Sequence, residues 1–190
     1  RTELRVRTLA DKTDRVILPL EQNFAYTDGS MWYQWSPDGK WFLVQLTNKD
    51  YNISDVGLVP ASGKGQPVNL THSGFEAFGA AWMAKGDMVA FASNRDGMNS
   101  FASTGRSQLD VYALFSNQKA LDRFKLSKEE LELLKEKEEA ADKDKKKDKS
   151  SEKKKDDAKE EEKPEVKPIQ LTIGGMDERR VRLTPYSAAV

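Results

Sequence analysis

The chain has 190 residues, 31 basic and 31 acidic, with one histidine and no cysteine; its zero net charge gives no electrostatic reason to expect nucleic acid or an anionic membrane as a partner, and a disulfide framework or thiolate metal centre is excluded. The charge is unevenly spread: 24 of the 29 residues from Lys135 to Lys163 are charged, 12 of each sign, which leaves 38 charges among the other 161 residues, roughly the quarter typical of a globular chain. No apolar run approaches the ~20 residues of a membrane helix, so membrane insertion is not expected.

Taken in order, Leu4-Arg5-Val6-Arg7-Thr8 alternates apolar and polar side chains, Asp11 to Asp14 makes a polar turn, and Val16-Ile17-Leu18 follows as a second strand. Pro19 to Ser30 reads as a connection. Met31 to Trp35 and Trp41 to Leu46 are then two strands joined by Trp35-Ser36-Pro37-Asp38-Gly39-Lys40-Trp41. In that turn proline presets the first corner, aspartate suits the second, and Gly39 takes the left-handed conformation that closes a short bulged hairpin. After Asn48-Lys49-Asp50 the pattern resumes as Ile53 to Val59, turns at Ser62 to Gly65 and pairs back as Pro67-Val68-Asn69-Leu70-Thr71.

A second copy follows in the same order. The hairpin turn recurs at Trp82-Met83-Ala84-Lys85-Gly86-Asp87-Met88, 47 residues after Trp35, close to the ~40–45 residues of one propeller blade. Ala80 to Met83 and Met88 to Ser93 stand for the first two strands, Asn94-Arg95-Asp96 echoes Asn48-Lys49-Asp50, and Asp110-Val111 echoes Asp55-Val56. The last strand is displaced: Arg180-Val181-Arg182-Leu183-Thr184 matches Pro67 to Thr71, and Arg15-Val16-Ile17-Leu18 matches it one unit earlier. The intervals between the matched valines are 52 and 113 residues, so an excess of 61 residues lies between the third and fourth strands of the second unit.

Within that excess, Ser127 with Glu130 forms a capping box ahead of Leu131, Leu133 and Leu134, so a helix is expected to begin at Ser127. Past Glu139 there is no apolar stripe, and the tract is either a solvated helix with pairs such as Glu139 with Lys143 and Asp142 with Lys146, or disordered. Ile169 to Ile173 is expected to return as strand. The organisation is all-β, a partial β-propeller of about two four-stranded antiparallel blades. Residues 1–18 are outer strands of a preceding blade, 19–71 a blade, 72–184 a blade interrupted by the charged insertion at 117–166, and 185–190 the start of the next. With no methionine at Arg1 and an unfinished element at its end, the sequence reads as an excerpt of a longer protein, and two blades alone would leave apolar faces uncovered.

The chemistry offered is sparse. His72, the sole histidine, sits in a turn without a nucleophile motif, and no Gly-x-Ser-x-Gly elbow occurs. Asp50, Asp55, Asp96 and Asp110 recur at equivalent positions and read as carboxylates that hold backbone amides, not as metal ligands. Lys145-Lys146-Lys147 and Lys153-Lys154-Lys155 are matched by carboxylates and read as a solvated charge run. Trp32, Trp35, Trp41 and Trp82 read as blade core, and the sequons at Asn52 and Asn69 as incidental. No catalytic, cofactor-binding or metal-binding residue is assigned, and no cofactor is implied.

Trp35 to Lys40, Phe91-Ala92-Ser93-Asn94-Arg95-Asp96-Gly97 and Asp110-Val111-Tyr112 resemble the blade motifs of TolB-like propellers and of tricorn-type peptidase propellers. Leu121-Asp122-Arg123-Phe124-Lys125-Leu126-Ser127-Lys128-Glu129-Glu130, the charged tract behind it, and Asp177-Glu178-Arg179 with Val181 to Thr184 resemble more specifically bacterial tricorn-like members of the C-terminal-processing serine peptidase family. The resemblance implies a peptidase as the parent and, for this piece, a non-catalytic scaffold that filters or guides peptide or unfolded protein substrates. Its partners would be the rest of the parent chain, whose homo-oligomerisation is compatible with this reading, and its compartment the bacterial periplasm ahead of the cytoplasm. None of the family's catalytic residues has a matching motif here. The alternatives are a TolB-like protein-binding propeller with no enzyme attached and the propeller of a prolyl-oligopeptidase-like hydrolase.

Overall fold

A computed structural model describes residues 3–23, 31–47, 53–100, 107–149 and 168–189. The chain divides into two compact units, one made of Arg1–Asn117 with Lys167–Val190 and the other of Gln118–Val166. Three antiparallel sheets make up the first unit. Strands β1 (Leu4–Arg7) and β2 (Asp14–Leu18) form a hairpin; β3 (Tyr33–Trp35), β4 (Trp41–Thr47), β5 (Ser54–Pro60) and β6 (Val68–Asn69) form a sheet in sequence order. Strands β7 (Ala77–Met83), β8 (Met88–Ser93), β9 (Gln108–Phe115) and β10 (Arg180–Arg182) repeat that order, and the short β11 (Ala188–Ala189) pairs with β9 beyond β10. The fold of this unit is therefore all-β and antiparallel.

Strand β4 is apolar from Trp41 to Val44, because the sheet it belongs to is covered there on both faces. Its even and odd residues feed two cores. Leu43, with Val56, Leu58 and Leu70, meets Ala80, Val89, Phe91, Tyr112 and Leu114 of the third sheet. Phe42 and Val44, with Val59 and Ala61, meet Leu4, Ile17 and Leu18 of the first hairpin. The hairpin thus rests on the middle sheet through one face of β4 and β5, and the third sheet rests on the other.

The two hairpin turns, alike in sequence spacing, differ in backbone. At the first, Gly39 has φ +67°, the Gly39 N–H donates to the Ser36 carbonyl at 2.9 Å and the Ser36 N–H donates to the Trp41 carbonyl at 2.8 Å. The Ser36 hydroxyl donates to Asp38 Oδ1 at 2.6 Å and accepts the Trp41 N–H at 3.0 Å, while the Lys40 N–H donates to the same carboxylate oxygen at 3.1 Å. The second turn has Ala84 and Lys85 where the first has its proline and aspartate, and its chain bends instead through three consecutive left-handed residues, Ala84 (φ +48°), Lys85 (φ +59°) and Gly86 (φ +102°). A left-handed L-residue costs about 1–2 kcal/mol, which a glycine avoids at an entropic cost of about 0.5–1 kcal/mol. Lys85→Gly is accordingly expected to raise stability by about 0.5–1 kcal/mol, read as a higher urea midpoint with an unchanged slope.

Other elements depart from the sequence pattern for identifiable reasons. Strand β6 spans two residues, not the five of 67–71: Pro67 has no N–H to give, and Thr71 contributes its hydroxyl to the sheet in place of a ladder bond. Strand β7 starts three residues earlier than Ala80 and carries a bulge between Phe78 and Ala81, where Gly79 is left-handed. Ile169 to Ile173 is no strand. Its backbone is held at single points: the Thr172 N–H donates to the Ser116 carbonyl at 2.8 Å, and the Ile169 N–H donates to Asp38 Oδ2 at 3.0 Å. The buried Arg179 fixes the same segment, its guanidinium donating to the carbonyls of Thr172, Gly174 and Phe115.

The second unit contains α1 (Gln118–Lys125), which periodicity did not suggest, and α2 (Lys128–Lys149). The capping box forms as read: the Ser127 N–H donates to Glu130 Oε2 at 2.8 Å, and the Glu130 N–H donates to the Ser127 hydroxyl at 3.3 Å. Hydrogen bonding to its carboxylate from the Ser127 backbone first and from the Ser127 hydroxyl second lowers the Glu130 pKa. Arg123 of α1 pairs with Glu138 of α2 at 2.7 Å. Helix α2 carries the charged tract as far as Lys149; the side chains of the pairs Glu139–Lys143 and Asp142–Lys146 are not both among the described ones.

In the first unit, the points where the chain leaves and returns are tied together. Beside the Thr172–Ser116 bond, the Asn117 side-chain amide donates to the Gln170 carbonyl at 2.8 Å. Loop-closure entropy changes by only about 0.6 kcal/mol per doubling of length, and the surface pair Arg123–Glu138 is worth at most about 1 kcal/mol. Deleting Lys135 to Lys163 is expected to shift the melting temperature of the sheets by no more than a few degrees. A larger drop would mean that the charged tract packs on an apolar surface.

Candidate binding surface

Side-chain chemistry in the first unit concentrates at the sheet edges and at one groove. At the edges, the two sheets close on the same device. In the middle sheet, Thr71 on the chain leaving β6 accepts the Val56 N–H at 3.1 Å and donates its hydroxyl to Asp55 Oδ1 at 2.6 Å, and the Asn69 amide donates to Asp55 Oδ2 at 2.8 Å. In the third sheet, Thr184 accepts the Val111 N–H at 3.2 Å and donates to Asp110 Oδ1 at 2.8 Å, with Arg182 in the place of Asn69 and donating to the same oxygen at 2.8 and 3.0 Å. The Leu70 and Leu183 N–H groups donate to the carbonyls of Val56 and Val111, each at 2.8 Å. The Asp-Val and Leu-Thr dipeptides of the sequence thus form one clasp, twice. Its carboxylate reaches the backbone amide through the threonine hydroxyl, not directly as the sequence suggested.

The second clasp is larger because residues 184–187 leave the ladder between β10 and β11 and wrap the carboxylate: Ser187 donates to Asp110 Oδ2 at 2.9 Å. The Asp110 side chain is fully buried. Burial pushes its pKa up, but hydrogen bonds from Thr184, Ser187 and Arg182 together with the Arg182 charge outweigh this, and the net shift is downward. Asp96 has a different task, accepting the Tyr112 hydroxyl at 2.6 Å; burial first and that bond second raise the tyrosine pKa. Asp50 and Asn52 lie outside the described residues, and the Asn69 side chain is occupied by Asp55, by the Thr71 N–H at 3.1 Å and by the His72 N–H at 2.8 Å.

His72 stands exposed with a left-handed backbone, φ +31°, held through that bond to Asn69. Among the described residues, no three His, Cys, Asp or Glu side chains gather at metal-binding range, and no helix is long and apolar enough to cross a membrane. The lysine blocks at 145–147 and 153–155 lie outside the described side chains.

The tryptophans do not all behave as core. Trp32, Trp41 and Trp82 are half-buried against the core between the middle and third sheets, whereas Trp35 is 46% exposed. Side chains alternate along a strand, so residues three apart in β3 and its approach face opposite ways: Gln34 turns toward the third sheet, accepting the Trp82 N–H at 3.0 Å, and Trp35 turns the other way onto Phe42, ring centroids 4.0 Å apart. Trp35 there forms one wall of a groove of about 490 Å³, with Trp41, Gly39 and Lys40 of the turn, Arg15 of β2, and Pro60, Ala61 and Ser62 at the end of β5. Sequence alternation alone separates Trp32 from Trp35; the groove itself depends on the hairpin β1–β2 approaching β5, which no local pattern announces. No family model, no curated protein and no solved structure matches this chain.

Proposed function

We propose that this chain is a non-catalytic β-propeller segment of a larger tricorn-like serine peptidase, acting as scaffold and as filter or guide for peptide substrates. The observation that carries the reading is the twice-built clasp. Two consecutive antiparallel sheets, each with four strands in sequence order and the second with β11 added, share one core and are closed by the same Asp, Val and Thr positions, which supports reading them as the repeat that a propeller multiplies. The step from repeat to peptidase rests on the likeness of residues 121–130 and 177–184 to tricorn-like enzymes, an argument by analogy. The catalytic groups belong to other parts of the parent in this reading, since none of the family's catalytic residues has a matching motif in this sequence.

The test is hydrolysis of unfolded casein. The full-length protein is expected to cleave it, with loss of activity after treatment with a serine-directed covalent inhibitor, and residues 1–190 alone are expected to leave it intact. A full-length protein that cleaves nothing but retains a protein partner would favour the TolB-like alternative. Cleavage confined to short prolyl peptides would favour a prolyl-oligopeptidase-like parent.

A further inference from the structure

We infer that the groove walled by Trp35 and Trp41 is a peptide-binding site, and that its ligand is an extended segment with an acidic residue next to an aromatic or prolyl one. The inference rests on the peptide-guiding reading for the class of ligand; it adds the place of binding and the charge preference. Three features of the groove lead there.

The first is the state of Trp35. Its indole is fixed by contact with Phe42 on one side and open on the other, so it offers a large rigid apolar surface that loses little entropy on contact. Pro60 lines the same open groove, and its volume of about 490 Å³ is enough for a ring or a prolyl side chain with its flanking backbone, on the scale of ~300–1,000 Å³ for ligand sites.

The second is charge. Among the described residues, Arg15 and Lys40 line the groove and no Asp or Glu does. The guanidinium of Arg15 is not a free surface charge: its Nε donates to the Ala61 carbonyl at 3.1 Å and its Nη1 to the Thr8 hydroxyl at 3.2 Å, which pins it at the rim. The carboxylate of the turn, Asp38, is turned to its own donors, the Ser36 hydroxyl and the N–H groups of Lys40 and Ile169. A carboxylate entering beside Trp35 therefore meets two cations, one of them already held in place.

The third is preformation. The turn that carries Trp35, Gly39, Lys40 and Trp41 is closed by the Ser36 and Asp38 bonds described above, and the opposite wall is held to it by the Ala61 N–H donating to the Lys40 carbonyl at 2.8 Å. Binding needs no ordering of the walls, which spares the cost that most weakens short peptides.

The experiment is fluorescence anisotropy with the full-length protein and two labelled peptides, acetyl-Gly-Asp-Phe-Pro-Glu-Gly and its counterpart with both acids replaced by lysine. The acidic peptide is expected to bind about tenfold more tightly than the basic one, and Trp35→Ala to weaken it by about tenfold or more. Lys40→Glu, on an exposed turn, is expected to remove or reverse the charge preference, and it carries the test if Trp35→Ala does not fold. Equal affinity for the two peptides, or acidic-peptide binding unchanged in both variants, overturns the inference, as does a Trp35→Ala effect confined to self-association. Selective binding by a protein that cleaves no casein would refute the peptidase reading and leave the groove standing. Casein cleavage by a protein that does not distinguish the peptides would refute the groove alone.

Discussion

Asp110→Ala is expected to destabilise the sheets by about 3 kcal/mol, the range for breaking a buried ion pair reduced for a partner in part exposed to water. Its side chain is wholly buried while that of Arg182 is 35% exposed, so the stranded guanidinium can recover some hydration; the hydroxyls of Thr184 and Ser187, donors to the lost carboxylate, recover less. The equivalent change in the first clasp, Asp55→Ala, removes two hydrogen bonds from neutral donors, Thr71 and Asn69, and is expected to cost about 1–2 kcal/mol. Urea unfolding of the two variants checks the order. Equal losses would show that residues 184–187 contribute nothing by enclosing the second carboxylate.

The same site shapes the acid limb of stability. Because the folded protein holds the Asp110 pKa below its ordinary value near 3.8, the protein binds fewer protons at this group when folded than when unfolded. Its contribution is complete above about pH 5 and declines as pH falls through the unfolded value toward the lower folded one. Asp38, lowered in the same direction by bonds from Ser36, Ile169 and Lys40 that exceed its burial, adds to the limb. Stability measured from pH 6 down to pH 3 is expected to fall less steeply in Asp110→Ala than in the parent protein, and the two curves should converge at low pH.

The clasps were open to sequence reading because they are made of short-range pattern repeated at long range. The match of 67–71 with 180–184 identified the partner strands, and Asp55-Val56 with Asp110-Val111 identified what they close on. What stayed hidden depended on competition for partners. Ile169 to Ile173 has the composition of a strand, yet the Ser116 N–H is given to the Asp87 carbonyl and only the Ser116 carbonyl is left for Thr172. Helix α1 has eight residues, too few for periodicity to register, and its one local start signal is Asn117 immediately before it, a residue type favoured at a helix N-terminus. Repeat spacing alone groups Trp35 with the other tryptophans, and strand parity within β3 overrides that spacing: Gln34 meets the third sheet, and Trp35 lies on the other face, 46% exposed.

The narrow footing of the hairpin β1–β2 leads to the second large effect. A two-stranded ribbon is marginal by itself in water, and β1–β2 joins the rest of its unit through Leu4, Ile17 and Leu18 set against Phe42, Val44, Val59 and Ala61. Phe42 is 1% exposed, pairs with Trp35 in the register of β3 and β4, and also meets the edge of the Tyr33 ring at 6.2 Å. Phe42→Ala should cost about 3–5 kcal/mol by loss of burial and the cavity left behind. Leu43→Ala, the next residue on the opposite face, should cost about 2–5 kcal/mol from the core shared with the third sheet. The totals overlap, so the discriminating measurement is where protection is lost. Amide hydrogen exchange is expected to rise selectively across Leu4 to Leu18 in Phe42→Ala, since among the described residues the hairpin packs in that one core, and to stay near the parent level there in Leu43→Ala, whose losses should fall on β7 and β8 instead. If both variants deprotect the three sheets together, the first unit unfolds as one cooperative block and the hairpin is held by more than the apolar face of β4.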